Sequence, residues 1–333
     1  MKYVIIGAGV AGIAAAKTIR SVDSVAEIVL VGKENYLPYR RHRLTEFLCQ
    51  KVDQQQLYYM SCEDFRALNI HFRKGQSAKF IHPERKCVQL AHNEIINYDR
   101  LLIATGGCPQ TGPAMRSFAK HLHRYYDLTD VLLLKRNLPN FNHCIVSGSG
   151  LSSLDLMAAL RNLGKKVTYL TPQPRAQFPL LEQQFANDVH QFLEQQQIDI
   201  ITHDRIIGIE KKDGKYQVIT LNGNQLLTDL VFGWDYYQPD IGWIETTGID
   251  RKTGILVDLH LRTSVEDIFA AGDCVEIYHP VLKNYWINFG RPNAEQQGEI
   301  AARNMTGQNV EYQIQDTIVF NLMGKPLTAR WWE

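Results

Sequence analysis

The feature that most constrains the fold is a glycine run close to the N-terminus. Residues 2–6 form a short, apolar, β-branched segment, residues 7–12 read GAGVAG, and residues 13–19 have helical periodicity. In such a unit Gly7 permits a tight turn, Gly9 lets a pyrophosphate approach the backbone, and Gly12 lets the helix pack against the strand. The run therefore predicts a dinucleotide cradle. The competing interpretation is a glycine-rich turn that binds nothing.

The same pattern of strand, glycine turn and helix occurs a second time. Residues 27–31 continue the first unit, and Glu34 lies at roughly the 20-residue offset at which a carboxylate meets ribose hydroxyls, unless it is an ordinary surface acid. The second unit runs through a strand at 144–147, a helix at 151–163 and a strand at 166–170, with Gly148, Gly150 and Asp155 at its turn. Two units predict an α/β chain with two Rossmann-like, doubly wound domains.

Composition and charge exclude several classes of protein. A chain of 333 residues with 45% hydrophobic residues can fill two cores. Its 36 Lys and Arg against 35 Asp and Glu give a net charge of +1, so no overall field attracts nucleic acid or an anionic membrane. No continuous span of about 20 apolar residues is present, and we expect a cytoplasmic protein. The six cysteines include no CxxC pair, so we expect reduced thiols and no metal site.

Two further segments carry a family resemblance. Residues 98–106 read YDRLLIATG and residues 261–273 read LRTSVEDIFAAGD, and both resemble FAD fingerprints of the pyridine nucleotide-disulfide oxidoreductase superfamily. The resemblance implies FAD as the cofactor, with Ala104, Thr105 and Gly106 beside it. It also implies that Asp273 binds the ribityl and phosphate part of FAD, because a carboxylate at a strand end can reach hydroxyl groups at the open edge of a sheet.

One loop narrows the resemblance to a branch of the superfamily. Residues 34–44 read ENYLPYRRHRL and are similar to a segment of the NAD(P)H:rubredoxin reductase and nitrite-reductase flavoproteins. This similarity implies that Arg41 and Arg43 approach the flavin; a solvated basic loop is the alternative. Asn293 and Ala294 open a segment that resembles the helix after the third FAD motif, whose N-terminus would stabilise negative charge at the flavin pyrimidine edge.

The cysteines that relatives use in redox chemistry are missing. Disulfide reductases of the superfamily carry a CxxxxC pair near the first helices, and NADH oxidase relatives carry a single cysteine near the position of His42 or Arg43; this chain has neither. Cys49 and Cys108 are expected to pack as small hydrophobic residues. The sequence therefore predicts that electrons leave the flavin directly, and it nominates no catalytic acid, base or nucleophile.

The second unit departs from the nicotinamide-binding pattern of these relatives. Ser153 stands at the third glycine, Thr171 ends a strand where NADH-binding relatives carry glutamate, and Tyr236 replaces a glycine beside the expected nicotinamide path. Ferredoxin-reductase relatives pair a lysine with a glutamate at the positions of Glu46 and Asp155, and two acids cannot form that ion pair. NAD(P)H is thus implied as the electron donor on weaker grounds than FAD.

These observations together predict a domain plan. An FAD-binding domain is split between residues 1–112 and 245–308, an NAD(P)-type domain is inserted at 113–244, and residues 309–333 form a short tail. In that tail, Trp331 and Trp332 either anchor a partner or cap apolar surface. We expect a monomer or a weak homodimer.

The expected reaction is hydride transfer from NAD(P)H to flavin, followed by single-electron delivery to a small redox protein such as rubredoxin or to another external acceptor. An alternative hypothesis is that the chain is an FAD-containing regulatory or assembly subunit whose nicotinamide site has degenerated. This hypothesis is favoured by Ser153, Thr171 and Tyr236. A third reading is a flavin oxidase that acts on an organic substrate. Anaerobic addition of NADH or NADPH separates these hypotheses.

Overall fold

The computed structural model describes residues 1–148, 151–173, 183–234, 236–315, 317–322 and 325–330. Its internal contacts divide the chain into two compact units. The first unit comprises Met1–Arg40, Tyr58–Cys108 and Gln238–Gln315. The second comprises Arg41–Leu57, Pro109–Tyr237 and the described part of residues 316–333.

Helices occur in both units. In chain order the α-helices of the described residues are α1 (Val10–Val22), α2 (Leu44–Leu48), α3 (Gln54–Leu57), α4 (Cys62–Ala67), α5 (Leu128–Asn137), α6 (Leu151–Asn162), α7 (Gln183–Gln195) and α8 (Arg291–Met305). Shorter 3₁₀ segments lie at Arg41–Arg43, Pro83–Arg85, Pro113–His121, Leu138–Asn140 and Gly242–Ile244. None of the described helices is long and apolar enough to cross a membrane.

The strands form two parallel sheets and several small ladders. In chain order they are β1 (Lys2–Ile6), β2 (Glu27–Gly32), β3 (Ile70–Lys74), β4 (Ala78–His82), β5 (Cys87–Leu90), β6 (Ile95–Asn97), β7 (Arg100–Ile103), β8 (Gly107–Gln110), β9 (His143–Ser147), β10 (Lys166–Leu170), β11 (Asp199–Ile201), β12 (Ile206–Lys212), β13 (Lys215–Thr220), β14 (Gln225–Thr228), β15 (Leu230–Gly233), β16 (Tyr236–Pro239), β17 (Ile255–Val257), β18 (Ile268–Ala270), β19 (Val275–His279), β20 (Asn284–Trp286), β21 (Thr317–Leu322) and β22 (Lys325–Arg330).

The first unit is built on a five-stranded parallel sheet with the order β18-β7-β1-β2-β3. β1 lies at the centre, and its residues from Tyr3 to Ile6 are buried because parallel strands are covered on both faces. Two further ladders of this unit have the orders β4-β5-β6 and β17-β19-β20. The predicted elements at 2–6, 13–19 and 27–31 lie on β1, α1 and β2, and the segments at 98–106 and 261–273 that resemble FAD fingerprints contain β7 and β18.

The second unit contains a four-stranded parallel sheet with the order β11-β10-β9-β15. The elements predicted at 144–147, 151–163 and 166–170 are β9, α6 and β10. An antiparallel ladder of β12, β13 and β14 packs with this sheet around Ile145, Leu170 and Val218. Two of the five unit boundaries fall within strands, at 108/109 in β8 and at 237/238 in β16.

Four segments lie on the other side of the predicted domain boundaries: residues 41–57, 109–112, 238–244 and 309–315. Residues 41–57 were predicted to belong with the first domain, but α2 packs against α5 and α6 and buries Leu44, Phe47 and Leu48 in the second unit. Residues 309–315 were predicted to be tail, but Tyr312 is 1% exposed and packs in the core of the first unit. The rest of the predicted tail contains the antiparallel strand pair β21 and β22, and Trp331 and Trp332 lie outside the described residues.

Candidate functional site

The first glycine turn follows β1 and opens α1. Gly7 has a φ of 116°, and its backbone N–H donates to Val31 O at 2.8 Å, which ties the turn to the end of β2. A Cβ on Gly12 would lie 1.9 Å from Gly7 O, so only glycine allows helix and turn to approach this closely. Gly9 is the N-cap of α1 and no side chain caps the helix there. The first N–H groups of α1 thus lack a side-chain cap, as expected at a phosphate site.

Space at Gly9 provides the test of whether a dinucleotide fits. No heavy atom lies within 4 Å of a Cβ built on Gly9, whereas Gly7 and Gly12 are closely surrounded by backbone. Open space at the middle glycine, between two crowded ones, is what the close approach of a pyrophosphate requires. Gly106, in the second predicted fingerprint, is likewise open and has a φ of 66°. The residues of the first turn therefore fit FAD.

Asp273 lies between β18 and β19. Its Oδ1 accepts a hydrogen bond from the backbone N–H of Gly290, the N-cap residue of α8, at 3.1 Å. Gly272, with a φ of 87°, donates its N–H to Gln297 Oε1 at 2.8 Å. The predicted FAD ligand is therefore held at the N-terminal end of a helix, in the same unit as the glycine turn.

The predicted residues Asn293 and Ala294 are buried in the first turns of α8. The Asn293 side chain donates to Phe289 O at 3.0 Å and accepts from the Tyr312 hydroxyl at 3.3 Å. Both ends of this amide are thus used within the protein. Asn293 fixes the entry to α8, and this role could not be read from the helix pattern.

Glu34 follows β2 in the first unit and has a specific partner. The hydroxyl of Tyr39 donates to Glu34 Oε2 at 2.6 Å, and Glu34 O accepts from the N–H of Gly75 at 3.0 Å. The carboxylate is therefore oriented by a largely buried tyrosine, which is 8% exposed. Tyr39 lies in the segment that carried the resemblance but was not predicted as a site residue.

The arginines of that segment divide between the two units. Arg40 belongs to the first unit, where its guanidinium lies 4.8 Å from the ring centroid of Tyr59. Arg41 belongs to the second unit, donates to Tyr126 O at 2.7 Å and stacks 4.2 Å from the Tyr126 ring centroid. The predicted contact of Arg41 with flavin stays a prediction.

Arg43 also has a local partner in the second unit. Its guanidinium donates to Glu46 Oε2 at 2.7 and 3.0 Å, an i,i+3 pair at the start of α2. Thr45, two residues after Arg43, shares a hydrogen bond of 2.8 Å with the Tyr125 hydroxyl. Glu46 is thus the ion-pair partner of Arg43. The approach of Arg43 to flavin stays a prediction.

The second glycine turn follows β9 in the second unit. Gly148 is described, whereas Gly150 lies outside the described residues. Ser153, at the position of a third glycine, is fully buried on α6. Burial raises the pKa of Asp155, two residues further on, to about 7. A carboxyl group with that pKa is partly protonated near neutral pH, so it is not the fixed negative charge that the sequence suggested.

All six cysteines lie in the part of the chain that the structure describes, and no disulfide bond joins any two of them. Burial raises the pKa of the Cys49 thiol and raises that of Cys274 to about 11. Because the thiolate is the reactive form, a raised pKa disfavours redox exchange at these residues. No cluster of three or more His, Cys, Asp or Glu suitable for a metal ion occurs in the part of the chain that the structure describes.

The fold and the first glycine turn define a class of dinucleotide-binding protein, and the sequence model of one family matches residues 1–300. The chain belongs to the pyridine nucleotide-disulphide oxidoreductase family. Membership confirms the predicted superfamily, its enzyme class and the cofactor pair of FAD and NAD(P)H.

Individual relatives are similar over most of the chain. A ferredoxin–NAD(+) reductase component of 3-phenylpropionate/cinnamic acid dioxygenase from Photorhabdus laumondii is 28% identical over 309 residues, 92% of this chain and 77% of the relative. An NADH-rubredoxin oxidoreductase from Clostridium acetobutylicum is 29% identical over 316 residues, 93% of this chain and 76% of the relative. A ferredoxin reductase structure from Rhodopseudomonas palustris, 24% identical, superposes with a TM-score of 0.91 over 98% of this chain and 81% of its own. The last comparison confirms the predicted fold class.

Proposed function

We propose that this chain is an FAD-dependent oxidoreductase that takes electrons from NAD(P)H and passes them to a small electron-acceptor protein of the rubredoxin or ferredoxin type. The observation that carries the proposal is that one unit combines an open glycine turn at Gly9 with a carboxylate, Asp273, held at the start of α8. The names of relatives, an NADH-rubredoxin oxidoreductase and a ferredoxin–NAD(+) reductase component, support the type of acceptor. A cytoplasmic location and a monomeric or weakly dimeric state belong to the proposal.

In this scheme the protein binds and orients cofactors and supplies no nucleophile. FAD, when bound, accepts an electron pair and can release electrons singly. The turn from Gly7 to Gly12 would hold its pyrophosphate against the uncapped N–H groups of α1. Asp273, fixed by Gly290, and Glu34, fixed by Tyr39, would accept hydrogen bonds from its hydroxyl groups.

The second unit would hold the electron donor. Gly148 and Asp155, with Gly150 between them in sequence, border the proposed nicotinamide site, and Ala104, Thr105 and Gly106 border the flavin site of the first unit. The raised pKa values of Cys49 and Cys274 support electron transfer without a redox-active disulfide.

The test is anaerobic addition of NADH, and separately NADPH, to the purified yellow protein. We expect at least one donor to bleach the flavin absorption band and a small redox protein then to restore it. The proposal is contradicted if neither donor changes the spectrum while dithionite bleaches it fully.

A second candidate function is an FAD-containing regulatory or assembly subunit. The observation that favours it is that a Cβ on Gly148 would lie 3.0 Å from Ser153 Oγ, and 3.1 and 3.2 Å from Trp234 O and Cε2, at the start of the second glycine turn. Tyr236, 46% exposed on β16, adds bulk where the sequence pattern of relatives has glycine. This candidate predicts the unchanged spectrum described above, together with tightly bound FAD.

A further inference from the structure

Three buried polar side chains near the start of α8 are joined in one series of hydrogen bonds. The Asn288 side chain donates to the Tyr312 hydroxyl at 3.4 Å, and this hydroxyl donates to Asn293 Oδ1 at 3.3 Å. Asn293 Nδ2 donates in turn to Phe289 O at 3.0 Å. Asn288, Asn293 and Tyr312 are each no more than 2% exposed, so bulk water does not compete for these bonds.

The series continues to Asp273, the predicted FAD ligand. Phe289 and Gly290 share one peptide group, whose carbonyl accepts from Asn293 and whose N–H donates to Asp273 Oδ1 at 3.1 Å. Because a peptide group is planar, an interaction that fixes its carbonyl also fixes the direction of its N–H. The Tyr312 hydroxyl is therefore connected to the Asp273 carboxylate through one side-chain amide and one backbone amide. We call this series of bonds, from Asn288 to Asp273, the α8 relay.

All bonds of the α8 relay point in the same direction. The Asn293 amide accepts at its oxygen and donates at its nitrogen, and the peptide group between Phe289 and Gly290 does the same. Hydrogen bonds arranged in this way polarise one another, so each amide that accepts a bond becomes a stronger donor. The Tyr312 hydroxyl thus strengthens the bond from Gly290 to Asp273 without touching either residue.

Tyr312 is itself held in place by the segment that follows α8. Its backbone N–H donates to Leu259 O at 2.7 Å. Two residues earlier, Val310 exchanges two hydrogen bonds with the side chain of Asn304, at 2.7 and 2.8 Å. Asn304 lies in the last turn of α8, whereas the Tyr312 hydroxyl reaches the first turns at Asn293. Burial raises the pKa of Tyr312, which keeps the hydroxyl protonated as a donor.

The stability of the fold does not by itself account for these polar side chains. Replacing both partners of a buried hydrogen bond by apolar groups of the same shape is nearly neutral for stability, and it can be favourable. A tyrosine hydroxyl and two asparagine amides in the core of the first unit therefore call for another reason. The reason that the bonds indicate is control of the Asp273 carboxylate.

We propose that Tyr312 is a positioning residue for FAD, because its hydroxyl orients and strengthens the bond from Gly290 to Asp273 through the α8 relay and thereby tightens the hold of the chain on the cofactor. The inference rests on the proposed function, in which Asp273 accepts hydrogen bonds from the hydroxyl groups of FAD. It gives the segment after α8, which the sequence pattern presents as a tail, a part in cofactor binding.

The experiment is a double-mutant cycle on FAD affinity, measured by fluorescence titration of the FAD-free protein. Tyr312→Phe removes one hydroxyl, Asp273→Ala removes the acceptor at the far end of the relay, and the third variant carries both substitutions. The matched control is Tyr3→Phe. Tyr3 is also 1% exposed in the first unit, and its hydroxyl contacts Met1 Sδ at 3.6 Å, outside the α8 relay.

We expect Tyr312→Phe to weaken FAD binding about fivefold, the effect of one hydrogen bond. The loss leaves Asn293 Oδ1 without its donor, so the amide and the peptide group that it holds can turn away from Asp273. In the Asp273→Ala background the same substitution should change FAD affinity by less than about twofold, because the bond that it strengthens no longer exists. Tyr3→Phe should also stay within about twofold of the parent chain. A merely structural role of Tyr312 would give equal losses in both backgrounds.

A further variant keeps the test decisive if one of the others fails to fold or binds no FAD. Asn293→Ala removes the middle of the α8 relay, so its combination with either Tyr312→Phe or Asp273→Ala should also give losses that do not add. The unfolding of each FAD-free variant in urea shows whether it is folded.

The proposal is overturned if folded Tyr312→Phe binds FAD within about twofold of the parent chain, if Tyr3→Phe loses as much affinity, or if the loss is the same in the Asp273→Ala background. It also fails if Asp273→Ala binds FAD as tightly as the parent chain, since Asp273 is then no ligand. Failure of the proposed function looks different, because the cycle uses no electron donor. In that case the expected affinities are found, yet neither NADH nor NADPH reduces the flavin of the parent chain.

Discussion

At the scale of single residues, a substitution at Gly9 should weaken cofactor binding while leaving the stability of the fold almost unchanged. A methyl group there would touch no protein atom within 4 Å, so Gly9→Ala should change the stability of the FAD-free protein by no more than about 1 kcal/mol. The same methyl group would stand where the pyrophosphate approaches the backbone. We therefore expect FAD affinity to fall at least about tenfold, measured by fluorescence titration of the FAD-free protein.

The control for Gly9→Ala is Gly242→Ala. Gly242 also has no heavy atom within 4 Å of a built Cβ, but it lies at the start of a 3₁₀ segment away from the glycine turn in sequence. FAD affinity should be unchanged in this control. Equal losses of affinity in both variants would contradict the assignment of the cradle.

Asp155 gives a prediction about pH. Burial raises its pKa in the folded chain to about 7, above its usual value of about 4. The stability that this shift contributes is fully present below pH about 4 and is lost as the pH rises through about 7, because the unfolded chain releases the proton first. Asp155→Asn should therefore raise the melting temperature at pH 8, by roughly 2–4 °C for each kcal/mol, and have a smaller effect at pH 5.

Thermal unfolding at the two pH values, followed by circular dichroism, checks this expectation. Asp213→Asn is the matched control, because Asp213 is exposed and its φ of 50° suits asparagine equally well. A melting-temperature gain from Asp155→Asn that is the same at pH 5 and pH 8 would refute a raised pKa at Asp155.

The sequence could not predict which residues the side chains of the site contact. The glycine spacing predicted Gly7, Gly9 and Gly12 because each glycine answers a backbone requirement that is local in sequence. The bond from Tyr39 to Glu34 and the stacking of Arg41 on Tyr126 depend on side-chain directions and on a segment 85 positions away. No periodicity records such a contact.

At the scale of elements, the packing of α8 against α1 supports the first cradle. A Cβ on Gly298 of α8 would lie 2.2 Å from Ala11 O of α1, so the two helix backbones are in direct contact. Gly298→Ala must push the helices apart, and its neighbour Gln297 holds the backbone of Gly272. We expect a loss of about 1–3 kcal/mol in the free energy of unfolding, together with weaker FAD binding.

Urea denaturation of the FAD-free and FAD-loaded protein measures this effect. Glu299→Ala, on the exposed side of α8 next to Gly298, is the control and should change neither quantity by more than about 0.5 kcal/mol. Normal stability in Gly298→Ala would mean that the close approach of α1 and α8 is not required.

Elements of the parallel sheets were predictable for a physical reason. β1, β2, β9 and β10 are buried runs of apolar residues, and such runs stand out because both faces of a parallel sheet are covered. Short ladder strands such as β17 and β20 contain three residues each and carry too little pattern to be recognised.

At the scale of the whole molecule, the order of segments was easier to predict than their boundaries. The two glycine turns imply two units, but apolar residues such as Leu44 and Phe47 do not specify which neighbours will bury them. The structure packs α2 against α5 and α6, which transfers residues 41–57 to the second unit. Tyr312 is a similar case. Residues 309–315 were predicted to be tail, but the buried side chain of Tyr312 packs in the core of the first unit.

The central claim is that FAD is the sole redox centre of this chain, and that a nicotinamide dinucleotide reduces it and an external acceptor reoxidises it. Its most direct test is an anaerobic titration of the purified protein with the effective donor, NADH or NADPH, following the flavin band to its end point. Because no disulfide bond joins any two of the six cysteines, all of which the structure describes, we predict complete bleaching at one equivalent of donor per FAD. An end point at two equivalents, which requires a second two-electron centre, or a flavin that neither donor reduces, would contradict the claim.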